Sequence, residues 1–321
     1  MIWRSAFALA SPGGTRARLS VLIFHRVLPR RDPLFPGEIF AEQFATLVNH
    51  VASRFRVLAL RDAVQALAQG TLPARAMAIT FDDGYADNLE IAAPILQRNR
   101  VPATVFVATG YLDGGCMWND LVIQAFRATR RASVDLRSIG LGTFQLDSHQ
   151  NRRAAIDQVL AHLKYLPVED RRDRAERVLS SAEVDPPSGL MLTRESVRAL
   201  HAAGFDVGAH TVTHPILARL TTEAAWDEIR QSKLDLEALT GKPVDLFAYP
   251  NGKPGADYSP DHVRMIREAG FEAAFTTAPG AANRGSDVYQ LPRFTPWVRN
   301  PLRFDWLMMR NLRQDAERRI A

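Results

Sequence analysis

The stretch that decides the fold is AMAITFDDGY, residues 76–85. Its first six residues form a mostly apolar run, which ends in two adjacent carboxylates, Asp82 and Asp83, followed by Gly84. A short apolar run that ends at a turn-forming glycine is typical of a strand buried on both faces. Similar runs recur along the chain with helix-like patterns between them, which predicts parallel strands in an α/β fold. The other runs are 20–24, 103–107, 206–209, 244–248, 273–275 and 289–291.

Polar and ionisable residues follow several of these runs. His25 follows the first run, His210 follows the run at 206–209, and Tyr249 follows the run at 244–248. The carboxyl ends of parallel strands open on one rim, where α/β folds place their active sites. A helix is predicted over 223–239, because its apolar residues have helical spacing and Gly241 provides a stop signal. We therefore expect an α/β barrel with its site at the strand ends.

Length and composition limit the class of protein. The chain has 321 residues, of which 46% are hydrophobic, so it is not a disordered chain. A single cysteine, Cys116, excludes a disulfide scaffold and a cysteine-based zinc ribbon. An α/β barrel of about 250 residues with insertions fits this length. We expect one catalytic domain over 1–321, with a core at about 18–300, a helical insertion at about 114–190 and a C-terminal helix at about 300–320.

The positive charge does not indicate a nucleic-acid partner. The net charge is +5 and the pI is about 9.6, but arginine supplies nearly all of the positive charge. The arginines alternate with acids, as they do over residues 171–177, and aromatic residues do not interleave them. Such a pattern is typical of solvated helix faces rather than of a phosphate-binding track. We expect no nucleic acid among the partners.

The terminal segments suggest a cytoplasmic location. The apolar part of residues 1–10 spans only about six residues, shorter than the ~7–15 of a secretory signal. No apolar stretch approaches the roughly 20 residues of a membrane-spanning helix, so no transmembrane segment is expected. The tail over 304–310 is amphipathic, which fits a helix packed on the barrel or attachment to the inner face of a membrane.

Asp82 and Asp83 form the first group of residues that can carry chemistry. Successive strand side chains point to opposite faces, so the two carboxylates must point in different directions. Such a pair can divide its work, one carboxylate binding a metal and the other acting as a base. Gly84 permits a sharp turn after them. A polar strand end or a helix cap is the structural alternative.

His210 and His214 form the second group. Two histidines four residues apart can grip one cation, and Pro215 favours a turn-like loop over a regular helix here. A pair with this spacing is incidental about as often as it binds metal. Because both groups follow buried strands, they open on the same rim of a parallel barrel. One aspartate and two histidines make a three-ligand site that leaves positions open for water.

The two groups together resemble a known family. Residues 80–84 and 210–214 are similar to the first two motifs of the polysaccharide deacetylases, the carbohydrate esterases (family 4) with the NodB homology domain. The similarity covers about residues 18–300. Residues 22–27 also resemble the opening of the exopolysaccharide-associated branch of this family.

This resemblance implies a fold and a division of roles. The fold would be a distorted (β/α) barrel of the NodB type, in which Asp83, His210 and His214 hold a divalent metal. Zinc is the expected metal, with cobalt and nickel as alternatives. Asp82 would be the general base that activates water for attack on the carbonyl carbon of an N-acetyl group.

The third motif departs from the pattern of the family. Its match is residues 247–252, where Ala248 replaces the arginine that usually braces the base. Arg293, after a later run, could supply that guanidinium from another direction, or it could be an ordinary surface arginine. The backbone N–H of Asn251 would contribute to the oxyanion hole. Tyr249, from the same motif, is included among the residues expected at the substrate.

The late histidine that normally acts as general acid is absent. The last histidine, His262, lies in a helical segment over 260–267, and we expect it to be exposed. His25 is the better acid because it ends the first buried run, although a core histidine bonded to backbone is the alternative. If His25 is not the acid, Asp82 could return the proton that it took.

Trp118 lies in a loop beside polar residues, in the sequence Trp-Asn-Asp at 118–120. An aromatic ring in such a loop suits stacking on a sugar. It equally suits a hydrophobic anchor for a helix that starts near Leu121.

The resulting hypothesis is a metal-dependent deacetylase. Its substrate would be an N-acetylated glycan or glycan precursor, from exopolysaccharide or the cell envelope. A hydrolase of linear or cyclic non-sugar amides on the same barrel is one alternative. A catalytically silent glycan-binding homologue is the other, because the late histidine is missing.

Overall fold

The protein is described by a computed structural model that covers residues 2–295, 300–314 and 320. Seven strands in this part of the chain form one fully parallel sheet, in the order β1-β3-β4-β7-β8-β9 with β2 also on β3. Two further strands, β5 and β6, form a separate antiparallel pair. The strands are β1 Ser20–Phe24, β2 Arg56–Val57, β3 Ala76–Phe81, β4 Thr104–Val107, β5 Ser133–Asp135, β6 Thr143–Gln145, β7 Asp206–Ala209, β8 Leu246–Ala248 and β9 Ala273–Phe275.

The parallel sheet curls into a distorted barrel, which confirms the predicted fold class. The closing element is the segment 291–294, which bridges both edge strands. Leu291 pairs with Phe275 of β9, and Phe294 pairs with Leu22 of β1. The prediction of a strand over 289–291 was wrong, because Val288–Gln290 is a 3₁₀ turn and only Leu291 makes a bridge. Pro292, which has no N–H to donate, follows directly.

Helices cover the outside of the barrel. Alternate strand residues, such as Ile79 and Phe81, point outward and pack against these helices. The residues between them point into the barrel, where Ala78 and Phe106 form a second cluster with residues of α3. The predicted helix at 223–239 is observed as α9, ended by Gly241 in the left-handed conformation. The helices are α1 Ile2–Ala10, α2 Ala41–Arg54, α3 Leu60–Gln69, α4 Ala93–Arg98, α5 Trp118–Ala128, α6 His149–Leu163, α7 Val168–Ser181, α8 Arg194–Ala202, α9 Thr222–Thr240, α10 Pro260–Glu268 and α11 Pro301–Arg313.

The insertion between β4 and β7 has a hydrophobic cluster of its own. It contains α5, α6, α7 and the β5–β6 hairpin, so it is not purely helical. The buried members of this cluster all fall between Cys116 and Ala182. A smaller cluster that includes Tyr85, Met117 and Met191 joins the insertion to the barrel rim.

The terminal helices pack on the barrel and on each other. Phe7 of α1 and Phe304 of α11 are both buried in the main core. The described part of α11 ends at Arg313, and the remainder of the expected 300–320 helix falls mostly outside the described residues. Among the described residues, no helix is long and apolar enough to cross a bilayer.

Candidate active site

Asp82 lies at the barrel rim and is held by Arg293. The guanidinium donates two hydrogen bonds, Nη1 to Oδ1 at 2.7 Å and Nη2 to Oδ2 at 2.8 Å, and both side chains are buried. The Nε atom of Arg293 donates to the carbonyl of Thr276 at 3.0 Å. Burial would raise the pKa of Asp82, but the positive charge and hydrogen bonds of Arg293 together with the charge of nearby histidines outweigh it, and the pKa is lowered. Arg293 thus keeps a buried carboxylate ionised, and it reaches Asp82 from the closing segment.

Asp83, His210 and His214 converge beside Asp82. The Nε2 atoms of both histidines lie 3.4 Å from Oδ1 of Asp83, and the potential ligand atoms of the three residues all lie within 4.8 Å. Oδ1 of Asp83 is buried, yet it has no hydrogen-bond partner among the described residues. An orphaned buried carboxylate oxygen facing two imidazole nitrogens is the donor set that a divalent cation such as zinc prefers. The residues therefore fit a metal ion.

The three residues of the triad differ in their electrostatics. Burial opposes ionisation of Asp83, but the two histidines outweigh it, so the pKa of Asp83 falls well below its usual range. Burial lowers the pKa of His214 to about 4, which leaves the ring neutral and able to coordinate at pH 7. Burial acts in the same direction on His210, but the carboxylates of Asp82 and Asp83 outweigh it and raise the pKa of His210.

The ring of His210 is oriented from behind. Its Nδ1 lies 2.7 Å from the carbonyl oxygen of Ala248, which can accept a hydrogen bond only if Nδ1 carries the proton. In the neutral ring this leaves Nε2 as the free nitrogen facing Asp83. Backbone partners of this kind commonly fix the tautomer of metal-binding histidines.

Glu228 of α9 holds the loop that carries both histidines. One carboxylate oxygen accepts hydrogen bonds from the backbone N–H groups of Val212 and Thr213, at 2.7 and 2.8 Å. The other accepts from the hydroxyl of Thr213 at 2.5 Å. Glu228 was not predicted from the sequence, because a glutamate on a charged amphipathic helix looks like a solvated surface residue.

The backbone is strained at the segments that carry the site. Asp83, Thr211, His214 and Asn251 all have positive φ, at 76°, 65°, 52° and 58°. Residues other than glycine rarely adopt this conformation, which costs of order 1–3 kcal/mol each. Surrounding contacts must therefore hold these loops in place, as Glu228 does for the histidine loop. Strain of this kind clusters at functional sites.

The structure distinguishes the two histidines considered as acid. The side chain of His25 is exposed and lines the cavity that also contains Asp83, so it is not a core histidine. The expectation that His262 is exposed was wrong. It is buried at the start of α10, where its Nδ1 lies 3.0 Å from the backbone nitrogen of Ser259, as in a capping box.

Asn251 and Tyr249 occupy different environments. Asn251 is partly buried, and its backbone N–H has no acceptor within the described part of the chain, so it is available for an oxyanion. Tyr249 is fully buried, stacks on Tyr258 at 3.9 Å and donates its hydroxyl to the carbonyl of Tyr289 at 3.0 Å. Tyr249 is thus a core residue. The expectation that its side chain contacts the substrate was wrong.

Trp118 is the first residue of α5 and packs against the core of the insertion. The guanidinium of Arg171 lies over its ring, 5.1 Å from the centroid. Trp118 does not line the cavity that contains Asp83. These contacts favour the anchor alternative over sugar stacking.

The cavity beside the triad is formed by the barrel rim and the insertion together. It has a volume of about 660 Å³, and its lining includes His25, Asp83, Tyr85 and Asp120. Asp120 of α5 is buried, and its two oxygens lie 3.2 and 3.3 Å from the hydroxyl of Tyr85. Burial raises the pKa of Asp120 to about 7, although Arg26 opposes this shift. No role for Asp120 was predicted from the sequence.

Fold and site together define an α/β-barrel enzyme with an Asp-His-His triad suited to a divalent metal. The sequence model of the family described as polysaccharide deacetylase matches residues 69–274. This chain belongs to the polysaccharide deacetylase family.

Individual relatives agree with this assignment. The chain is 21% identical over 278 residues to the Bacillus subtilis (strain 168) protein YxkH, whose name places it in the same family, covering 86% of this chain and 71% of that protein. The solved structure of the Streptococcus pyogenes deacetylase PplD matches with a TM-score of 0.61 and 17% identity, covering 93% of this chain and 99% of that one. IcaB from Ammonifex degensii matches with a TM-score of 0.59 and 19% identity, covering 92% and 98%. At these identities the solved structures support the fold.

Proposed function

We propose that this enzyme hydrolyses N-acetyl groups of an amino sugar in a glycan or glycan precursor, of exopolysaccharide or the cell envelope. The observation that carries the proposal is the ionised Asp82, clamped by Arg293 directly beside the triad. Nε2 of His210 lies 3.9 Å from Oδ2 of Asp82, so base and triad face the same small volume. Membership of the family and the cavity at the rim support a glycan as substrate.

The residues divide the reaction among them. A divalent metal held by Asp83, His210 and His214, zinc in the first instance, would supply Lewis-acid activation of the carbonyl and of water. Asp82 accepts the proton of the attacking water, since a carboxylate retains lone pairs beyond the two that Arg293 occupies. The N–H of Asn251 donates to the developing oxyanion. His25, exposed in the cavity, gives a proton to the departing amine, and acetate is the other product.

The test is acetate release from a panel of N-acetylated sugar oligomers and small cyclic amides. The protein is first chelated, then assayed with zinc, cobalt or nickel added back, beside the Asp82→Asn variant. We expect metal-dependent release from a sugar oligomer. In Asp82→Asn this release should be lost while metal binding, measured separately, is retained. The variant keeps the size of the side chain and removes its basicity.

Other outcomes would replace the proposal. Hydrolysis of the cyclic amides alone would keep the chemistry and overturn the sugar as substrate. Tight oligomer binding with metal bound and no acetate released would favour the glycan-binding alternative. Release that persists in Asp82→Asn would remove Asp82 from the role of base.

A further inference from the structure

We propose that Asp120 is a substrate-binding residue that accepts a hydrogen bond from a ring hydroxyl of the sugar. This inference rests on the proposed function and adds a determinant of specificity to it. The residue comes from the insertion rather than from the barrel. The insertion would therefore recognise the sugar while the barrel performs the hydrolysis.

The position of Asp120 is the first argument. Asp120 borders the same cavity as Asp83 and His25. The volume of about 660 Å³ falls in the ~300–1,000 Å³ range typical of small-molecule sites. A sugar whose acetyl group lies at the triad would extend into this cavity. Asp120 is placed to contact the ring, while Asp83 marks the end of the cavity where the acetyl group would react.

The unmet hydrogen-bonding capacity of Asp120 is the second argument. Its side chain is only 5% exposed, yet among the described residues no arginine, lysine or histidine forms an ion pair with it. The nearby Arg26 pairs instead with Asp87, at 2.8 Å. Within the described ranges, the one side chain that donates to it is Tyr85, through its hydroxyl, and the backbone of Met117 also bonds the carboxylate. A carboxylate offers about four lone-pair sites, so acceptor capacity remains.

The cost of this arrangement is the third argument. A buried carboxylate without a counter-ion is unfavourable, and its raised pKa expresses that cost. Buried acids of this kind in a cleft are frequent at functional sites. A sugar hydroxyl is a neutral donor, and it would satisfy the carboxylate without introducing a second buried charge. Asp120 also ties α5 to Tyr85, and the two tests below distinguish this structural contact from substrate binding.

The first test compares two substrates in wild type and Asp120→Asn. One is an N-acetylglucosamine oligomer that the wild type hydrolyses, and the other is 4-nitrophenyl acetate, an activated acetyl ester without a sugar ring. Loss of a hydrogen bond to a charged acceptor predicts a roughly 10–100-fold rise in KM for the oligomer. For the ester, hydrolysis that persists in Asp82→Asn is subtracted as background. The kcat/KM for the ester should then differ less than threefold between wild type and Asp120→Asn. The matched control is Asp185→Asn, an exposed aspartate of the same insertion.

The second test removes the donor instead of the acceptor. Oligomers that each lack one ring hydroxyl are bound to Asp82→Asn protein, with and without Asp120→Asn, and affinity is measured by calorimetry. One deoxy position should weaken binding when Asp120 is present and have no effect when it is replaced. If every position acts equally in both proteins, the inference is overturned.

The two proposals fail in different ways. Equal losses on oligomer and ester in Asp120→Asn, with a lower melting temperature, would make Asp120 a structural anchor and leave the deacetylase function intact. If the wild type with metal releases no acetate from any sugar and binds none, the proposed function fails and the inference fails with it.

Discussion

At the scale of single residues, the pairing of Asp82 with Arg293 is the central contact. The two residues are 211 positions apart in the chain, yet both terminal nitrogens of the guanidinium, Nη1 and Nη2, bond the carboxylate. In a buried pair, removing one partner leaves the other as an uncompensated charge. Breaking the pair should therefore destabilise the fold, and the intact pair orients the proposed base.

We predict that Arg293→Gln loses both stability and activity. The unpaired Asp82 should cost about 3–5 kcal/mol in the free energy of unfolding, measured by urea denaturation. Misorientation of the base should lower kcat about 100-fold. The control is Arg177→Gln, which breaks an exposed pair with Asp173 and should cost under about 1 kcal/mol. Arg293→Gln with the stability and kcat of the control would contradict the role assigned to Arg293.

We also predict a pH-dependent effect of Asp120 on stability. The pKa of Asp120 in the folded protein is about 7, above its ordinary value, so the native state holds the proton more tightly than the unfolded chain. The contribution of Asp120 to the free energy of unfolding is therefore fully present below about pH 4, and it is lost as the pH rises through about 7. Relative to Asp120→Asn, the wild type should lose about 2–3 kcal/mol between pH 5 and pH 8 in chelated protein. Urea denaturation of both proteins at the two pH values checks this, and a constant difference would refute it.

Single residues were predictable where strand ends supplied the signal. Asp82, Asp83, His210 and His214 each follow a buried run, and parallel geometry requires such residues to share a rim. Asp120 and Glu228 lie on helices among other charged residues, where only tertiary contacts distinguish a buried acceptor from a solvated one. Tyr249 failed as a substrate residue because its side chain turns into the core, which its motif does not reveal.

At the scale of elements, the loop after β7 depends on its neighbours. The hydroxyl of Tyr111 donates to the carbonyl of Thr213 at 2.8 Å. The N–H of Gly110 donates to the carbonyl of Val212, also at 2.8 Å. Glu228 supplies the acceptors on the other side. Since Thr211 and His214 are strained, the loop needs these contacts to present both histidines.

We predict that Glu228→Gln weakens metal binding without unfolding the protein. In Glu228 one carboxylate oxygen accepts hydrogen bonds from two backbone N–H groups. A glutamine can place its NH₂ group there, and that group cannot accept these hydrogen bonds. Contacts that support metal ligands typically contribute 10–100-fold in affinity, so a loss in that range is expected. Competition with a chromophoric chelator measures it for zinc. Glu223→Gln, an exposed change in the first turn of the same helix, serves as control and should bind zinc as the wild type does.

The elements were predictable where their pattern was continuous. The buried strands have uniform apolar runs, and α9 has both a helical period and a glycine stop. The segment 289–291 was misassigned because three residues cannot define a period, and its pairing depends on two distant strands. The hairpin β5–β6 lies in a polar part of the insertion, where no alternation was evident.

At the scale of the whole molecule, the insertion and the barrel have separate cores. The buried cluster of the insertion includes Phe126 and Val159, and none of its buried members comes from a barrel strand. Contact with the barrel is made through the small cluster around Tyr85 and Met117, and through Asp32 and Phe35 of the segment after β1. Two cores that share no buried side chain can open separately.

We therefore predict that Phe126→Ala loosens the insertion and spares the barrel. Truncating a buried phenylalanine costs about 3–5 kcal/mol, and the insertion should absorb this cost. Amide hydrogen exchange should accelerate over 118–181 and change little in β3, β4 and β7. Zinc affinity should be retained while turnover of sugar oligomers falls. The control is Tyr165→Ala, at a side chain that is 56% exposed, and uniform acceleration across both parts would disprove the separation.

The closure of the barrel by residues 291–294 also bears on the order in which the enzyme can be made. A ribosome delivers Asp82, Asp83 and both histidines of the triad long before Arg293 leaves the exit tunnel. A nascent chain therefore already contains all three metal ligands while its base still lacks a counter-ion and the sheet has a free edge. The enzyme would therefore become able to hydrolyse substrate only late in translation, when residues 291–294 pair with both edge strands and close the barrel.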